Sequence, residues 1–150
     1  MHRFRQRRIE RLQRKPHMNP ANAVLSPDPE VIVFNLKERY TGVSATINAL
    51  VPLQAQQWRL GFCGTRMSNG IDGMGLREAI RLSRKPPEGR SFRIWHVRRD
   101  PEMMAAIFAR DVLRLPIKLV FTSAAQHLHG AFPRWLISKM DAVISTTPLA

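Results

Sequence analysis

Short apolar runs alternate with longer amphipathic segments along most of the chain. The runs are VIVFNL (31–36), WRLGFCG (58–64), SFRIWHV (91–97), IKLVFT (117–122) and DAVIST (141–146). Runs of this kind, rich in β-branched and aromatic residues, are typical of strands that are covered on both faces in a parallel sheet. The pattern therefore predicts five strands in chain order.

Helices are predicted in the intervals between these runs. Segment 44–57 carries apolar residues at helical spacing, and Pro52 is expected to kink it or to end its first half. Pro133 is expected to open a short helix over 132–140, whereas segment 76–84 is ambiguous.

The clearest helix lies in RRDPEMMAAIFARDVLRLP, residues 98–116. Asp100 suits the N-cap and Pro101 the first helical position, and Pro116 ends the helix. The apolar face that should turn toward the core consists of Met104, Ile107, Phe108, Val112 and Leu115.

Strands that alternate with helices indicate βαβ units and a parallel sheet with right-handed crossovers. We therefore predict an α/β domain over residues 31–150. Its fold is a Rossmann-like parallel sheet of about five strands with helices on both faces.

The first 30 residues have a different composition. Residues 16–30 contain four prolines in 15 positions, which regular elements do not tolerate. Residues 1–17 hold seven Arg or Lys and one Glu, a net charge of +6. We expect a disordered basic arm over 1–30 that binds nucleic acid or membrane, or that is only a solvated leader. Met18 is an alternative start that would place 1–17 outside the protein.

The net charge and the cysteine content indicate which kinds of partner and which cellular compartment suit this sequence. The formal net charge of +13 favours polyanions such as nucleic acid, anionic lipid head groups or phosphorylated substrates. Cys63 is the only cysteine, which excludes an intrachain disulfide and fits a reducing compartment. No apolar run approaches the roughly 18 residues of a membrane helix. We expect a cytoplasmic protein. Peripheral contact with the inner face of the cytoplasmic membrane is compatible with this expectation.

Ligands of open parallel sheets bind beyond the carboxyl ends of the strands. Thr41, Gly42 and Val43 follow the first predicted strand, where free backbone N–H groups can bind an anion or a sugar hydroxyl. An ordinary turn with an N-cap threonine is the alternative. Arg98 and Arg99 follow the third strand and can make bidentate contacts to phosphate or carboxylate, or form a solvated basic rim.

The end of the fourth predicted strand carries further polar side chains. Ser123 and Gln126 can hydrogen-bond a polar ligand there. His127 and His129 are too few for a zinc site without further ligands nearby, so no metal and no cofactor is predicted. Because Cys63 lies within a predicted strand, no Cys-His pair for nucleophilic catalysis is expected.

Three segments, taken in order, resemble a known family. They are 31–56 (VIVFNLKERYTGVSATINALVPLQAQ), 86–103 (PPEGRSFRIWHVRRDPEM) and 119–146 (LVFTSAAQHLHGAFPRWLISKMDAVIST). These segments are similar to the N-terminal half of family 4 glycosyltransferases, which contain two Rossmann-like domains in the GT-B arrangement. Within that family the likeness is to the lipopolysaccharide core mannosyltransferases of rhizobia and their relatives.

The resemblance implies a transferase that moves a hexose, mannose from GDP-mannose, onto a lipid-linked lipopolysaccharide core acceptor. In that family the N-terminal domain binds the acceptor, and the nucleotide-sugar site, with its glutamate pair spaced E-x7-E, belongs to the second domain. We therefore expect this chain alone to be inactive. The candidate cleft residues are Thr41, Gly42, Val43, Arg98, Arg99, Ser123, Gln126 and His127.

Exposed cations supply a second group of candidate residues, for contact with an anionic leaflet or a phosphorylated acceptor. They are Arg98, Arg99, Arg134 and Lys139. The alternative function is a small basic nucleic-acid-binding protein. Against it, aromatic residues do not interleave with Lys and Arg on one strand, as a stacking platform for bases requires.

Overall fold

A computed structural model describes residues 25–37, 41–65, 67, 70–123 and 130–146. They form one sheet of five parallel strands with helices between them. The strands are β1 (Val31–Asn35), β2 (Leu60–Gly64), β3 (Arg93–Val97), β4 (Ile117–Ser123) and β5 (Ala142–Ser145). The helices are α1 (Gly42–Gln54), α2 (Leu76–Leu82), α3 (Asp100–Ile107) with a π-helical extension (Phe108–Val112), and α4 (Ala131–Ser138).

The strands are ordered β2-β1-β3-β4-β5 across the sheet, and all neighbours are parallel. The chain thus runs from β1 outward to β2 and then returns across β1 to place β3 on the other side. Helix α1 packs on one face, while α2, α3 and α4 pack on the other. The predicted fold, a parallel Rossmann-like sheet with helices on both faces, is confirmed.

Alternation along the central strands creates the two cores. On β1, Val33 packs with Ile47 of α1, whereas Phe34 faces the side of α2 to α4. The Phe34 and Trp95 rings lie 4.7 Å apart between centroids. The Trp95 indole N–H, fully buried, donates to Ser83 Oγ at 2.9 Å. These strands are therefore buried on both faces, which explains their continuous apolar sequence.

The amino ends of the strands are joined by a buried arginine. Arg93 on β3 is 1% exposed and donates to the Pro29 carbonyl at 2.6 Å and to Asp28 Oδ1 at 2.7 Å. The Ser26 amide also donates to the Leu60 carbonyl at 2.8 Å. Residues 25–30, which the sequence places in the disordered arm, are thus ordered against the sheet. Residues 1–24 lie outside the described residues.

Helix α3 buries a different stripe from the one predicted. Met103, Ala106 and Ala109 face the sheet and are fully buried. Met104, Phe108 and Val112 face outward and are exposed, so for these three the predicted core face was wrong. The segment has apolar residues on more than one side, and the two alanines allow the helix to lie close to the sheet.

Helix α1 contains Pro52 and continues to Gln54, so the proline stands in its last turn. The ambiguous segment 76–84 contains helix α2. Within the part of the chain that the structure describes, no helix combines the length and the apolar character needed to cross a membrane.

Candidate functional site

The carboxyl ends of β1 and β3 meet at the point where the strand order changes direction. Glu102, 2% exposed near the start of α3, joins the two ends. One of its carboxylate oxygens accepts the Leu36 amide at 3.1 Å, and the other accepts the Arg98 amide at 2.9 Å. In doubly wound sheets this switch point is where ligands bind.

Arg99 forms hydrogen bonds with several polar side chains at this switch point. Its guanidinium donates to Asn35 Oδ1 at 2.5 Å, to Thr41 Oγ1 at 2.8 Å and to Glu102 Oε1 at 3.3 Å. A longer contact of 3.5 Å reaches Ser44 Oγ. We call these five residues, Asn35, Thr41, Ser44, Arg99 and Glu102, the Arg99 cluster. It links β1, the start of α1, the end of β3 and α3.

The start of α1 forms one wall of the cluster. Thr41 is the N-cap, and its carbonyl accepts the Ala45 amide at 2.9 Å while its hydroxyl accepts the Ser44 amide at 3.5 Å. At Gly42, the first helical residue, a Cβ atom would meet no heavy atom within 4 Å. Val43 packs against the core beneath α1. The backbone at Gly42 is thus open to a ligand, next to the positive end of the helix dipole.

Two further polar groups lie on the α1 side of β3 and β4. The His96 ring nitrogen Nε2 lies 2.6 Å from Thr122 Oγ1. Burial, aided by the positive charge of Arg98, lowers the pKa of His96 from 6.5 to about 4. His96 is therefore neutral at physiological pH and acts as a hydrogen-bonding group.

Arg98 also differs from an ordinary surface arginine, in its burial and in its pKa. Burial and the neighbouring Arg99 lower its pKa, while Glu102 opposes the shift. Its Nε atom is buried and has no hydrogen-bond partner among the described residues. A buried N–H without a partner is costly, and an anionic ligand at this edge would satisfy it.

The structure brings five of the predicted site residues to one place. Thr41, Gly42, Val43, Arg98 and Arg99 all lie at the carboxyl ends of β1 and β3. The chain separates Thr41 from Arg99 by 58 residues, yet a hydrogen bond joins them. The parallel pairing of β1 with β3 accounts for this approach.

The other predicted residues lie elsewhere. Ser123 ends β4 and is buried, and its carbonyl accepts the Thr146 amide at 3.1 Å. Gln126 and His127 lie outside the described residues, as does His129. Arg134 and Lys139 are exposed on and after α4, whereas Arg98 and Arg99 are partly buried after the end of β3.

Three members of the Arg99 cluster were not predicted as site residues. Asn35 closes an apolar strand, Ser44 follows the N-cap by one turn, and Glu102 appeared as a first-turn acid of a helix. For Asn35 the sequence did contain a signal, because it is a polar residue at the end of a buried strand. No comparable signal exists for Glu102, because an acid in a first helical turn is common on surfaces.

The chemistry open to this site is binding of a polar or anionic ligand. Burial, reinforced by Glu102 and Glu78, raises the pKa of the Cys63 thiol to about 12, which removes it as a nucleophile. Within the described residues, no group of three His, Cys, Asp or Glu side chains can hold a metal ion. The site presents guanidinium, hydroxyl and amide groups, which suit saccharide hydroxyls and phosphate oxygens.

A separate depression of about 360 Å³ lies at the amino ends of β1 and β3. Trp58 and Phe92 contribute exposed rings to it, and Glu30 pairs with Arg90 at 2.9 Å beside them. None of the predicted site residues lines this depression.

Fold and site together define an α/β protein of the doubly wound, Rossmann-like class. In proteins of this class, ligands bind at the switch point of the sheet, which here lies between β1 and β3.

The chain is similar to two lipopolysaccharide core biosynthesis mannosyltransferases. LpsB of Rhizobium meliloti (strain 1021) is 43% identical over 121 residues, and LpcC of Rhizobium leguminosarum bv. viciae is 41% identical over 121 residues. Each alignment covers 80% of this chain and 34% of the relative, so the chain spans about a third of the length of the curated relatives it matches. No family model and no solved structure matches the chain. The resemblance predicted from the sequence is confirmed.

Proposed function

We propose that this chain is the acceptor-binding part of a glycosyltransferase that adds a hexose, mannose, to the core saccharide of lipopolysaccharide. The observation that carries the proposal is the Arg99 cluster at the switch point, in a chain 43% identical to a mannosyltransferase over 121 residues. A lipid-linked saccharide carries hydroxyl and phosphate groups. The hydroxyl and guanidinium groups of the Arg99 cluster can form hydrogen bonds with them.

Each part of the site has a role in this proposal. Arg98, whose Nε has no hydrogen-bond partner within the described part of the chain, contacts a phosphate or carboxylate of the acceptor. Thr41 and Ser44 present hydroxyls to the saccharide, and Gly42 allows its ring to approach the backbone. Arg99 holds these groups in place through its bonds to Asn35 and Thr41.

The donor, GDP-mannose or another nucleotide sugar, binds to a second domain in this proposal. The aligned part covers 34% of each relative, which leaves room for such a domain in the rest of their length. The 150-residue chain by itself then binds acceptor and does not transfer sugar. It acts in the cytoplasm, at the inner face of the cytoplasmic membrane where a lipid-linked acceptor is anchored.

The direct test is calorimetric titration of the chain with phosphorylated core oligosaccharide freed from lipid A, and separately with GDP-mannose. We expect binding of the oligosaccharide and none of GDP-mannose. Gly42→Ala is the informative variant, because a methyl group fits the fold but projects into the open space where the ligand would lie. Gly75→Ala, also at a helix start with open space around it, is the matched control. Equal affinity for oligosaccharide in both variants would contradict the proposed site.

A second test concerns catalysis. The chain would be assayed for transfer from GDP-mannose alone and together with the separately expressed remainder of the Rhizobium meliloti relative. We expect activity only in the mixture. Transfer by the chain alone would overturn the proposal that it contains the acceptor half only.

The nucleic-acid alternative is not favoured, since both relatives are named for sugar transfer. Duplex DNA serves as the comparison ligand in the same titration. Binding to DNA that is as tight as binding to oligosaccharide, and insensitive to Gly42→Ala, would favour that alternative.

A further inference from the structure

The depression at the amino ends of β1 and β3 has the size of a small-molecule site. Its volume of about 360 Å³ lies within the range of ligand pockets. We call it the amino-end depression, and its main lining residues are Glu30, Val31, Trp58, Arg90, Phe92 and Ile94. It contains no member of the Arg99 cluster, and the five residues of β3 separate the two strand ends by about 17 Å.

Two aromatic rings at the amino-end depression are open to solvent. Trp58 is 52% exposed and Phe92 is 40% exposed. Val31 and Ile94 are partly buried and are register partners on β1 and β3, so they add an apolar area between the strands. Single exposed apolar residues are common on protein surfaces, but several that line one concavity indicate a binding site.

One carboxylate and one guanidinium accompany the rings. Arg90 Nε donates to Glu30 Oε2 at 2.9 Å, and the Arg59 amide donates to Glu30 Oε1 at 3.4 Å. The Glu30 side chain is only 13% exposed, whereas that of Arg90 is 56% exposed. A guanidinium carries five N–H groups, and this contact uses one of them. Within the part of the chain that the structure describes, the others have no protein partner and can donate to a ligand.

The turn that carries Arg90 is held in place by its neighbours. A hydrogen bond of 3.0 Å closes the turn 87–90, and Gly89 has a φ of +74°, which favours glycine. The Glu88 amide donates to Asp28 Oδ2 at 2.9 Å, and the Glu88 carbonyl accepts Arg59 Nη2 at 2.6 Å. The rim of the depression is thus fixed to the segments that precede β1 and β2, so the site exists before a ligand arrives.

Charge balance selects the kind of ligand. The two charged lining residues, Glu30 and Arg90, have opposite charges and already pair with each other. An anion would have to compete with Glu30 for Arg90, and a cation would have to compete with Arg90 for Glu30. A neutral ligand avoids this competition, because a paired carboxylate and guanidinium can still accept and donate further hydrogen bonds.

We propose that the amino-end depression binds a neutral saccharide. A sugar ring has an apolar C–H face, which packs against the rings of Trp58 and Phe92, and hydroxyl groups, which hydrogen-bond to Glu30 and Arg90. This second site does not depend on the proposed transferase function, because it shares no residue with the Arg99 cluster and needs no sugar transfer.

The test is calorimetric titration of the full chain with neutral mannotriose, in a Gly42→Ala background that obstructs the switch point. Trp58→Ser is the site variant. Trp135→Ser is the matched control, because this tryptophan is 51% exposed and lies on α4, outside the depression. We expect the dissociation constant to rise about tenfold in the site variant and less than about twofold in the control. Circular dichroism checks that both variants keep the fold.

Three results would overturn the second site. They are equal affinities in the site variant and the control, no saturation up to about 50 mM sugar, and binding in wild type that Gly42→Ala alone abolishes. The last result would place the sugar at the switch point and would support the proposed function instead. Conversely, mannotriose binding that depends on Trp58 would stand even if core oligosaccharide failed to bind at the switch point.

Mannose 6-phosphate tests the preference for a neutral ligand. In the Gly42→Ala chain we expect it to bind at the depression no more tightly than a neutral mannoside, because Arg90 is paired with Glu30. Tighter binding of the phosphate that Trp58→Ser abolishes would contradict the preference.

Fluorescence reports on the site without a change to its residues. In a Trp135→Phe chain the indoles are Trp58, half exposed, and Trp95, fully buried. We expect saturating mannotriose to shift the emission of Trp58 to shorter wavelength and to protect it from quenching by acrylamide. Unchanged quenching at a sugar concentration that saturates the calorimetric signal would show that the sugar binds elsewhere.

Discussion

The Arg99 guanidinium donates to Thr41 Oγ1 at 2.8 Å, across 58 residues of sequence. The same guanidinium donates to Asn35 Oδ1 at 2.5 Å, so one planar group joins the end of β1, the start of α1 and the end of β3. Because both contacts use the fixed geometry of the guanidinium fork, they orient the cluster as well as stabilise it.

Arg99→Lys tests this geometry. A lysine keeps the charge, but its single ammonium cannot bond to Asn35 and Thr41 in the same way. We expect the free energy of unfolding to fall by about 1–2 kcal/mol in urea denaturation. Arg77→Lys, at an exposed position of α2, is the control and should change it by less than about 0.5 kcal/mol. A similar small loss in both variants would mean that Arg99 does not organise the switch point.

Glu102→Ala removes the carboxylate that joins the ends of β1 and β3. The substitution leaves the Leu36 and Arg98 amides without their acceptor and Arg99 without its anionic partner. We expect a loss of about 3 kcal/mol in the free energy of unfolding, since the group is buried and several partners are left unsatisfied.

The control for this loss is an exposed acid of the same type. Glu78 pairs with Arg81 at 3.8 Å on the surface of α2, with both side chains at least half exposed. Glu78→Ala should cost less than about 1 kcal/mol. Comparable losses in the two variants would show that the Glu102 contacts contribute no more than a surface ion pair.

His96 should make stability depend on pH. Its pKa falls from 6.5 to about 4 on folding, so between these values the unfolded chain binds more protons than the folded one. The free energy of unfolding should therefore fall as the pH is lowered from 7 to 5, by up to about 2 kcal/mol from this group.

Comparing the pH dependence of stability in wild type and in His96→Asn separates the contribution of His96 from that of the carboxylates. Urea denaturation at about pH 5, 6 and 7, which spans the titration range of histidine, would measure this difference. We expect the pH dependence of the variant to be weaker. Parallel curves for the two proteins would mean that His96 titrates normally in the folded state.

Gly64→Ala tests the close approach of β1 and β2 beside the site. An added Cβ at Gly64 would lie 2.2 Å from the Asn35 carbonyl oxygen, and the residue has a φ of +156°. Because the clash is with backbone, we expect a loss of roughly 2–3 kcal/mol and a shift of Asn35. Gly75→Ala, which meets no neighbour within 4 Å, should leave the thermal midpoint nearly unchanged. Equal midpoints for the two variants would contradict the packing at Gly64.

Local sequence determined the elements because each strand carries its own signal. Buried parallel strands need consecutive apolar residues, and VIVFN begins with four of them, while IKLVFTS places its apolar residues around the exposed Lys118. The start of α3 was readable from Pro101 to within one residue, since its N-cap is Arg99 and not the predicted Asp100. Thr41 as the N-cap of α1 was the alternative interpretation of that residue, and the structure has it. The resemblance to glycosyltransferases followed from the order of these segments.

Tertiary structure alone decided the site partners and the exposed surface. Glu102 and Asn35 gain their roles only when the pairing of β1 with β3 sets the two strand ends side by side, which no local pattern encodes. On α3, apolar residues occur on more than one side, so their periodicity leaves the buried stripe undetermined. Contact with the sheet selected Met103 and Ala106 for burial and left Met104 and Phe108 in solvent. Packing against a neighbouring element is a long-range interaction, and for that reason it could not be derived from the sequence.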